Sequence, residues 1–149
     1  MVMLIVGILA AIALPRFTSK TEFDGRGFLD QTQSMIRYAQ TLAIAQRRSV
    51  WVQVSQTPHV ICLTYAAAST NCSNDGGAPV LAPEDQTWFV RTAPSDITFG
   101  STLQFSFNAL GQPINALGQP SPAIALTLFQ NGSSSVGQIQ VEAETGYVH

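Results

Sequence analysis

Two cysteines, Cys62 and Cys72, are the residues of this 149-residue chain whose spacing most directly suggests chemistry. In an oxidising compartment we expect them to form a disulfide, and closing so short a loop contributes about 2–3 kcal/mol through chain entropy. In a reducing compartment they would be two unrelated thiols. A zinc site is not indicated, because the distant His59 and His149 do not complete a ligand-spacing motif.

The remaining reactive residues form no catalytic set. The sequence contains no Gly-x-Ser-x-Gly elbow, Walker loop, dinucleotide fingerprint or His-Glu-x-x-His motif. His59 falls in a predicted strand and His149 is the last residue, so surface or structural roles are favoured over a general base. Residues 74–77, Asn-Asp-Gly-Gly, carry too few carboxylates for a dedicated calcium loop. We therefore expect no enzymatic activity, no cofactor and no metal.

The charge content argues against an electrostatic binder. The formal net charge is −2, and 11% of the residues are charged. No Lys or Arg follows Arg91, and the carboxylates of Asp96, Glu142 and Glu144 are isolated along the chain. Binding to nucleic acid depends on cations that neutralise phosphates, so nucleic-acid binding is not expected.

The elements that position these residues begin with an amphipathic helix. Apolar residues at helical spacing predict a helix over residues 28–47 whose stripe packs on a sheet. A cofactor or partner-helix role for this stripe is the less favoured alternative. Residues 18–27 are polar and contain Gly25 and Gly27, so we expect them to be frayed or unwound. Arg47 and Arg48 suit the helix C-terminus, where cations offset the dipole. The stripe comprises Phe28, Met35, Ile36, Ala39, Leu42 and Ala43.

From Ser49 the periodicity changes to two, which predicts strands. Val50, Val52 and Val54 alternate with more polar positions, so the first strand is expected to be half-buried and to form a hairpin with residues 59–65. Residues 66–86 are predicted to be a long loop, which in a compact domain is often functional or mobile. Further short strands are predicted over residues 87–91, 102–107, 123–129 and 137–143, with a terminal turn and edge over 145–148.

One hexapeptide, Asn-Ala-Leu-Gly-Gln-Pro, occurs twice, at residues 108–113 (copy 1) and 115–120 (copy 2). A seven-residue period present in two copies is too short for a solenoid. Each copy carries the turn-forming residues Gly and Pro. A local duplication that lengthened a hairpin loop is the favoured interpretation, and a binding loop is the alternative.

The first fourteen residues contain no charged or polar side chain, and Pro15 follows them. Fourteen residues give about 21 Å of helix, which is short of the roughly 30 Å of a membrane core. A signal peptide fits poorly because no basic stretch precedes the apolar run. A buried core helix is the alternative to the assignment below. The residues assigned to this helix are Leu4, Ile5, Gly7, Ile8, Leu9, Ile12, Leu14 and Pro15.

The run from Gly7 to Pro15, Gly-Ile-Leu-Ala-Ala-Ile-Ala-Leu-Pro, resembles the N-terminal helix of type IV pilins and type II secretion pseudopilins. In that family a basic leader, a glycine cleavage site and Phe-Thr-Leu-x-Glu-Leu precede the run. The resemblance therefore implies about seven mature residues before Met1, including the glutamate that registers a subunit against its neighbour. We expect upstream DNA to encode them in frame.

Three later segments, residues 37–48, 103–113 and 138–148, resemble the minor-pilin branch of the family. This branch contains the H-type minor pseudopilins of type II secretion and the FimT-type minor pilins. The segment over 37–48 is also similar to the minor pilin of the mannose-sensitive haemagglutinin pilus. Some FimT-type members bind DNA through basic residues near the C-terminus, and this chain has none there.

The resemblance implies an α+β fold in which a long hydrophobic N-terminal helix, kinked at Pro15, is packed on an antiparallel β-rich C-terminal domain. Residues 1–20 would be the membrane anchor and assembly helix, and residues 21–149 the periplasmic globular domain. The chain would be a minor pilin or pseudopilin, anchored by one span in a bacterial inner membrane and then assembled into a pilus or pseudopilus.

The implied partners are other pilin or pseudopilin subunits, the inner-membrane assembly platform, and the prepilin peptidase acting on the precursor. The rival hypothesis is a membrane-anchored periplasmic binding module, for example a DNA-uptake minor pilin. Such a module would use residues 66–86 and 108–120 to hold its ligand.

Overall fold

The computed structural model describes residues 20–67 and 71–149. The predicted hydrophobic helix over residues 1–14 and its kink at Pro15 lie outside the described residues. Within them, no helix combines the length and the apolar character that a membrane span requires. One helix, α1 (Lys20–Gln46), is followed by eight strands: β1 (Val50–Gln56), β2 (His59–Thr64), β3 (Val90–Thr92), β4 (Ile97–Phe99), β5 (Leu103–Phe107), β6 (Pro113–Ile114), β7 (Ile124–Gln130) and β8 (Ser134–Val141).

The strands form two antiparallel sheets, and α1 packs on both. The first sheet has the order β3-β2-β1-β5-β6, and the second has the order β4-β7-β8. The helix contacts β1 and β5 of the first sheet and β8 of the second. The predicted α+β class, with one helix on antiparallel strands, is confirmed for the described residues.

The described part of the helix begins at Lys20, so the expectation of frayed or unwound chain over residues 18–27 is wrong for residues 20–27. Gly25 packs against the second sheet, where an added Cβ would lie 3.2 Å from the Ile97 side chain and 3.3 Å from that of Val136. Most helical stability in proteins comes from such tertiary packing, which here offsets the unfavourable propensity of the glycines.

The helix ends in a Schellman motif with Arg47 as its left-handed residue, at φ 51°. The Arg47 N–H donates to the Ile44 carbonyl, and the Arg48 N–H donates to the Ala43 carbonyl. The two arginines therefore lie at the helix C-terminus, as predicted, just after the last helical turn. The Arg48 guanidinium lies 3.4 Å over the Tyr65 ring, which fastens the helix end to β2 and the chain just after it.

The inner face of the first sheet is apolar, as the alternation predicts. Val52 is paired with Leu63 on one side and with Phe105 on the other. The opposite face is also covered, so the first strand is not half-buried: Gln53 is fully buried and Ser55 is 3% exposed. The Gln53 amide donates to the Thr64 hydroxyl at 3.0 Å, which satisfies a polar group that burial would otherwise penalise.

The second sheet lies under the N-terminal half of α1. Gly137 in β8 allows the helix to approach closely, because an added Cβ would lie 2.6 Å from the Leu29 side chain. The strands β4 and β6 have three and two residues and were not predicted. Elements this short contain too few residues to show a period of two. The predicted strand over residues 87–91 is observed at Val90–Thr92 instead.

Candidate functional site

The predicted helix stripe faces the two sheets. Phe28, Met35, Ile36, Ala39 and Ala43 are buried, and Leu42 is half-buried against the same core. The same face includes Thr32, which was not among the predicted stripe residues; it is 1% exposed and has no hydrogen-bond partner for its hydroxyl among the described residues. Because this face packs within the domain, the surfaces available for contact with other molecules lie elsewhere on the domain.

One flank of the helix holds the C-terminal segment in place. Gln40 Nε2 donates to the carbonyls of Gly111 at 3.1 Å and Thr145 at 3.0 Å. Arg37 donates through Nε and Nη2 to the Val148 carbonyl at 3.1 and 3.0 Å. We call these two side chains, Arg37 and Gln40, the helix clasp. It joins three parts of the chain that are remote in sequence: α1, copy 1 and the last five residues.

Arg37 and Gln40 are not part of the predicted stripe, and no role was predicted for their side chains. Their spacing of three residues does place them on the same side of a helix. Nothing local indicates their acceptors, which are backbone carbonyls more than seventy residues away. The clasp is thus a feature that only the tertiary structure reveals.

The two copies of the hexapeptide form the same local loop. In copy 1 the Asn108 side-chain oxygen accepts hydrogen bonds from the N–H groups of Leu110 at 2.9 Å and Gln112 at 3.0 Å. In copy 2 the Asn115 oxygen accepts from the residues two and four positions later, at 2.9 and 3.1 Å. Asn side chains that hydrogen-bond the following backbone favour such turns. The repeated sequence therefore encodes a repeated structure.

Each loop closes through its glycine and displays its leucine. Gly111 and Gly118 have φ values of 82° and 75°, which favour glycine because an L side chain is strained there. Leu110 is 77% exposed and Leu117 is 85% exposed. Large apolar side chains held out by well-ordered turns are candidates for contact with another molecule.

The predicted Cys62–Cys72 disulfide is confirmed, with the two Cα atoms 5.9 Å apart. It fixes the start of the 66–86 segment against the outer face of the first sheet, and residues 68–70 lie outside the described residues. Farther along, Val80 and Ala82 are fully buried in the core. The Val80 N–H donates to the Leu63 carbonyl, and the Phe89 N–H donates to the Val80 carbonyl. The described part of this segment therefore contributes to the core.

The acidic residues of this segment mainly stabilise its own turns. Asp75 Oδ1 accepts from the Gly77 N–H at 2.9 Å. Glu84 forms an ion pair with Arg91 at 2.6 Å. The Thr87 N–H and hydroxyl donate to Asp85 and lower the pKa of that carboxyl below its usual value.

The two histidines occupy separate places. His59 Nδ1 accepts from the Phe99 N–H at 3.2 Å, which links the first sheet to the second. His149 Nε2 lies 3.1 Å from a Glu142 carboxylate oxygen at the C-terminus. Among the residues that the structure describes, no group of three or more His, Cys, Asp or Glu side chains could hold a metal ion.

Neither a protein-family model nor a curated protein sequence matches the chain. Its fold is similar to that of the type IV minor pilin FimU of Pseudomonas aeruginosa, with a TM-score of 0.54, 16% identity, and coverage of 80% of this chain and 82% of FimU. It is also similar to the minor pseudopilin EpsH of the type 2 secretion system of Vibrio cholerae. For EpsH the TM-score is 0.59, the identity is 13%, and the coverage is 85% of this chain and 94% of EpsH. The predicted similarity in fold to minor pilins and minor pseudopilins is confirmed for the described residues.

Proposed function

We propose that the chain is a minor pilin-like subunit of a type IV pilus or a type II secretion pseudopilus, rather than an enzyme. The observation that carries this proposal is the shared fold, which extends over 80–85% of the chain. The apolar run with Gly7 and Pro15 supports the proposal independently, because its sequence resembles that of the family's assembly helix. Both kinds of machine are included, since one structural neighbour is a type IV minor pilin and the other is a minor pseudopilin of type 2 secretion.

In this proposal the two parts of the chain have different tasks. Residues 1–20 anchor the subunit in the inner membrane and then pack against the helices of neighbouring subunits. An apolar surface is favourable in both places, because lipid and a helical fibre core both exclude water. Residues 21–149 remain on the periplasmic side and present the domain surface. The assembly platform and the prepilin peptidase are the further partners that the family resemblance suggests.

The arrangement of the domain supports this division. The apolar stripe of α1 is already covered by the two sheets, so it is not free to bind other helices. A helix that is apolar all round, such as residues 1–14 would form, cannot be covered by one small domain. We therefore expect a chain cut near Thr21 to be soluble and folded, and the longer chain to need detergent.

The rival function, DNA uptake, has less support. The sequence carries seven Lys and Arg residues against nine Asp and Glu, and no cation follows Arg91. Phosphate contacts by cations supply most of the affinity of non-specific DNA binding. The 21–149 domain should bind duplex DNA no better than a neutral protein at physiological salt. Submicromolar affinity with a clear salt dependence would favour the DNA-uptake function.

The subunit role is tested in the source organism with an epitope-tagged full-length chain. We expect the chain in the inner membrane and in sheared fibres, and we expect deletion of the gene to reduce piliation or secretion. Leu9→Glu places a charge in the assembly helix and should abolish incorporation. Gln31→Glu adds the same charge at an exposed position of α1 and should leave incorporation intact. A chain found in neither membrane nor fibre, with pili and secretion unaffected by the deletion, would refute the proposal.

A further inference from the structure

A cleft of about 150 Å³ opens where the two repeat copies meet the C-terminal segment. Three stretches of chain build it: copy 1, the Ile114–Pro120 stretch that contains copy 2, and the segment that follows β8. Four of its seven lining residues are apolar and three are polar. The lining residues are Asn108, Gln112, Pro113, Ile114, Pro120, Ala143 and Glu144.

One of the lining residues, Glu144, carries an exposed carboxylate. Asn108 Nδ2 donates to Gln112 Oε1 at 3.3 Å, and Gln112 Nε2 donates to the Glu144 backbone carbonyl at 3.2 Å. Both amides therefore already donate within the lining. The Glu144 side chain is exposed, and its carboxylate forms no ion pair with any described residue.

The chain itself supplies few cations here. The sequence has no Lys or Arg over residues 92–149, the region that builds the whole cleft. Arg37 is the helix cation that reaches the C-terminal segment, and its guanidinium is bound to the Val148 carbonyl. The nearby carboxylate of Glu142 is paired with His149. A complementary cation for Glu144 would therefore come from another molecule.

Exposed apolar side chains lie on the two loops, on the C-terminal segment and on the adjoining helix α1. Leu110 and Leu117 project from the two loops, Ile44 lies against Gly111, and Tyr147 follows the glycine that packs on copy 1. These are four of the six large apolar residues that are exposed in the described part of the chain. The two leucines stand on loops already ordered by Asn side chains, so binding would cost little additional conformational entropy.

We propose that this cleft binds a Lys or Arg side chain of a partner protein, with Leu110 and Leu117 contacting apolar residues on either side of that cation. The Glu144 carboxylate pairs with the cationic group. The aliphatic stem lies against Pro113 and Pro120, as long basic side chains commonly lie along apolar surface. This inference goes beyond the subunit role, because it specifies the chemistry of a partner whichever machine contains the chain.

The proposal also accounts for copy 2, which burial does not explain. All residues from Ala116 to Pro120 are exposed, so the second loop contributes little to the core. What it adds is one wall of the cleft, through Pro120, and a second displayed leucine.

The test uses the full chain in non-ionic detergent and two capped tripeptides, Leu-Arg-Leu and Leu-citrulline-Leu. Citrulline has nearly the shape of arginine without its charge. We expect the arginine peptide to shift the backbone amide resonances of residues 108–120 and 143–147. It should bind about three- to five-fold more tightly than the citrulline peptide, as a solvent-exposed ion pair allows.

Two variants identify the groups responsible. Glu144→Gln should remove the difference in affinity between the two peptides, whereas Glu142→Gln, the matched control, should preserve that difference. Leu117→Ser should weaken the binding of both peptides equally, because it removes only an apolar contact.

Equal affinities for the two peptides, or shifts confined to other surfaces, would overturn the proposal. So would an absence of shifts at millimolar peptide. Shifts of the same amides that depend on protein concentration without peptide would reassign the surface to a second copy of the chain. None of these measurements involves fibres, so their outcome is separate from that of the proposed subunit role.

Discussion

Copy 1 and copy 2 have the same six residues and the same local hydrogen bonds from backbone N–H groups, yet they occupy different environments. In copy 1, Gly111 and Pro113 are buried, and the Gly111 carbonyl accepts a bond from Gln40. In copy 2, Gly118 and Pro120 are exposed, and nothing lies within 4 Å of the Cβ that Gly118 lacks. The sequence therefore determines the shape of each loop, and the tertiary contacts determine how much each loop contributes to stability.

The difference has a simple physical origin. Copy 1 lies against α1 and the C-terminal segment, which reach it through the helix clasp and through the close approach of Gly146 to the Gly111 carbonyl. Copy 2 is joined to the adjoining strand, β6, by an isolated bridge between Ile114 and Pro120. Identical substitutions in the two copies should separate local effects from tertiary ones.

The largest difference is expected between Gly111→Ala and Gly118→Ala. Both place an L residue at positive φ, which costs about 1–2 kcal/mol. At position 111 the added Cβ would also lie 2.7 Å from the end of the Ile44 side chain, which is 48% exposed and would have to shift, so we expect a larger loss there than at position 118. Urea unfolding of the 21–149 domain measures the free energy of unfolding of both variants.

A double variant tests the cause. Ile44→Ala in the Gly111→Ala background should recover part of the loss, because it removes the side chain that the new Cβ meets. The same change beside Gly118→Ala should recover nothing. Equal losses for the two single glycine variants would mean that the copies do not differ in the way described.

A substitution in the helix clasp is expected to have the next largest effect on stability. Gln40→Ala removes one donor from two carbonyls, and we expect a loss of about 1–2 kcal/mol in the free energy of unfolding. Hydrogen exchange should accelerate over residues 108–113 and not over residues 115–120. Gln31→Ala, an exposed glutamine on another side of α1, is the matched control and should change neither quantity. Faster exchange in both copies would show that they are coupled.

The asparagines should show a smaller contrast. Asn108→Ala removes the acceptor for two backbone N–H groups in an anchored loop and should cost about 1 kcal/mol. Asn115→Ala removes the same acceptor from a loop that does not pack on the core, so the free energy of unfolding should change by no more than about 0.5 kcal/mol. Thermal unfolding of the two variants checks this. A larger loss for the Asn115 variant would show that copy 2 supports the fold.

The smallest effects on stability are expected for the displayed leucines. Leu110→Ser and Leu117→Ser replace side chains that are 77% and 85% exposed, so each should change the free energy of unfolding by less than about 0.5 kcal/mol. Circular dichroism during urea titration is sufficient to measure this. A substantial loss in either variant would assign that leucine to the fold rather than to a contact surface.

The sequence alone determined the features that depend on neighbouring residues. Period 3.6 identified the helix stripe, period two identified the β1–β2 hairpin, and the Gly and Pro of each hexapeptide indicated turns. The spacing of Cys62 and Cys72 predicted their bond once an oxidising compartment was assumed. These predictions succeed because their causes are local: side-chain direction, turn chemistry and short loop closure all operate within about ten residues.

Only the tertiary structure decided the features that depend on remote partners. It extended α1 through Gly25, because the second sheet packs on the helix there. It divided the strands into two sheets, buried Gln53 beneath covering chain, and joined Arg37 and Gln40 to carbonyls near the C-terminus. It also gave two identical hexapeptides different environments. A local pattern specifies how a segment folds, but the free energy of each contact depends on which distant segment it meets.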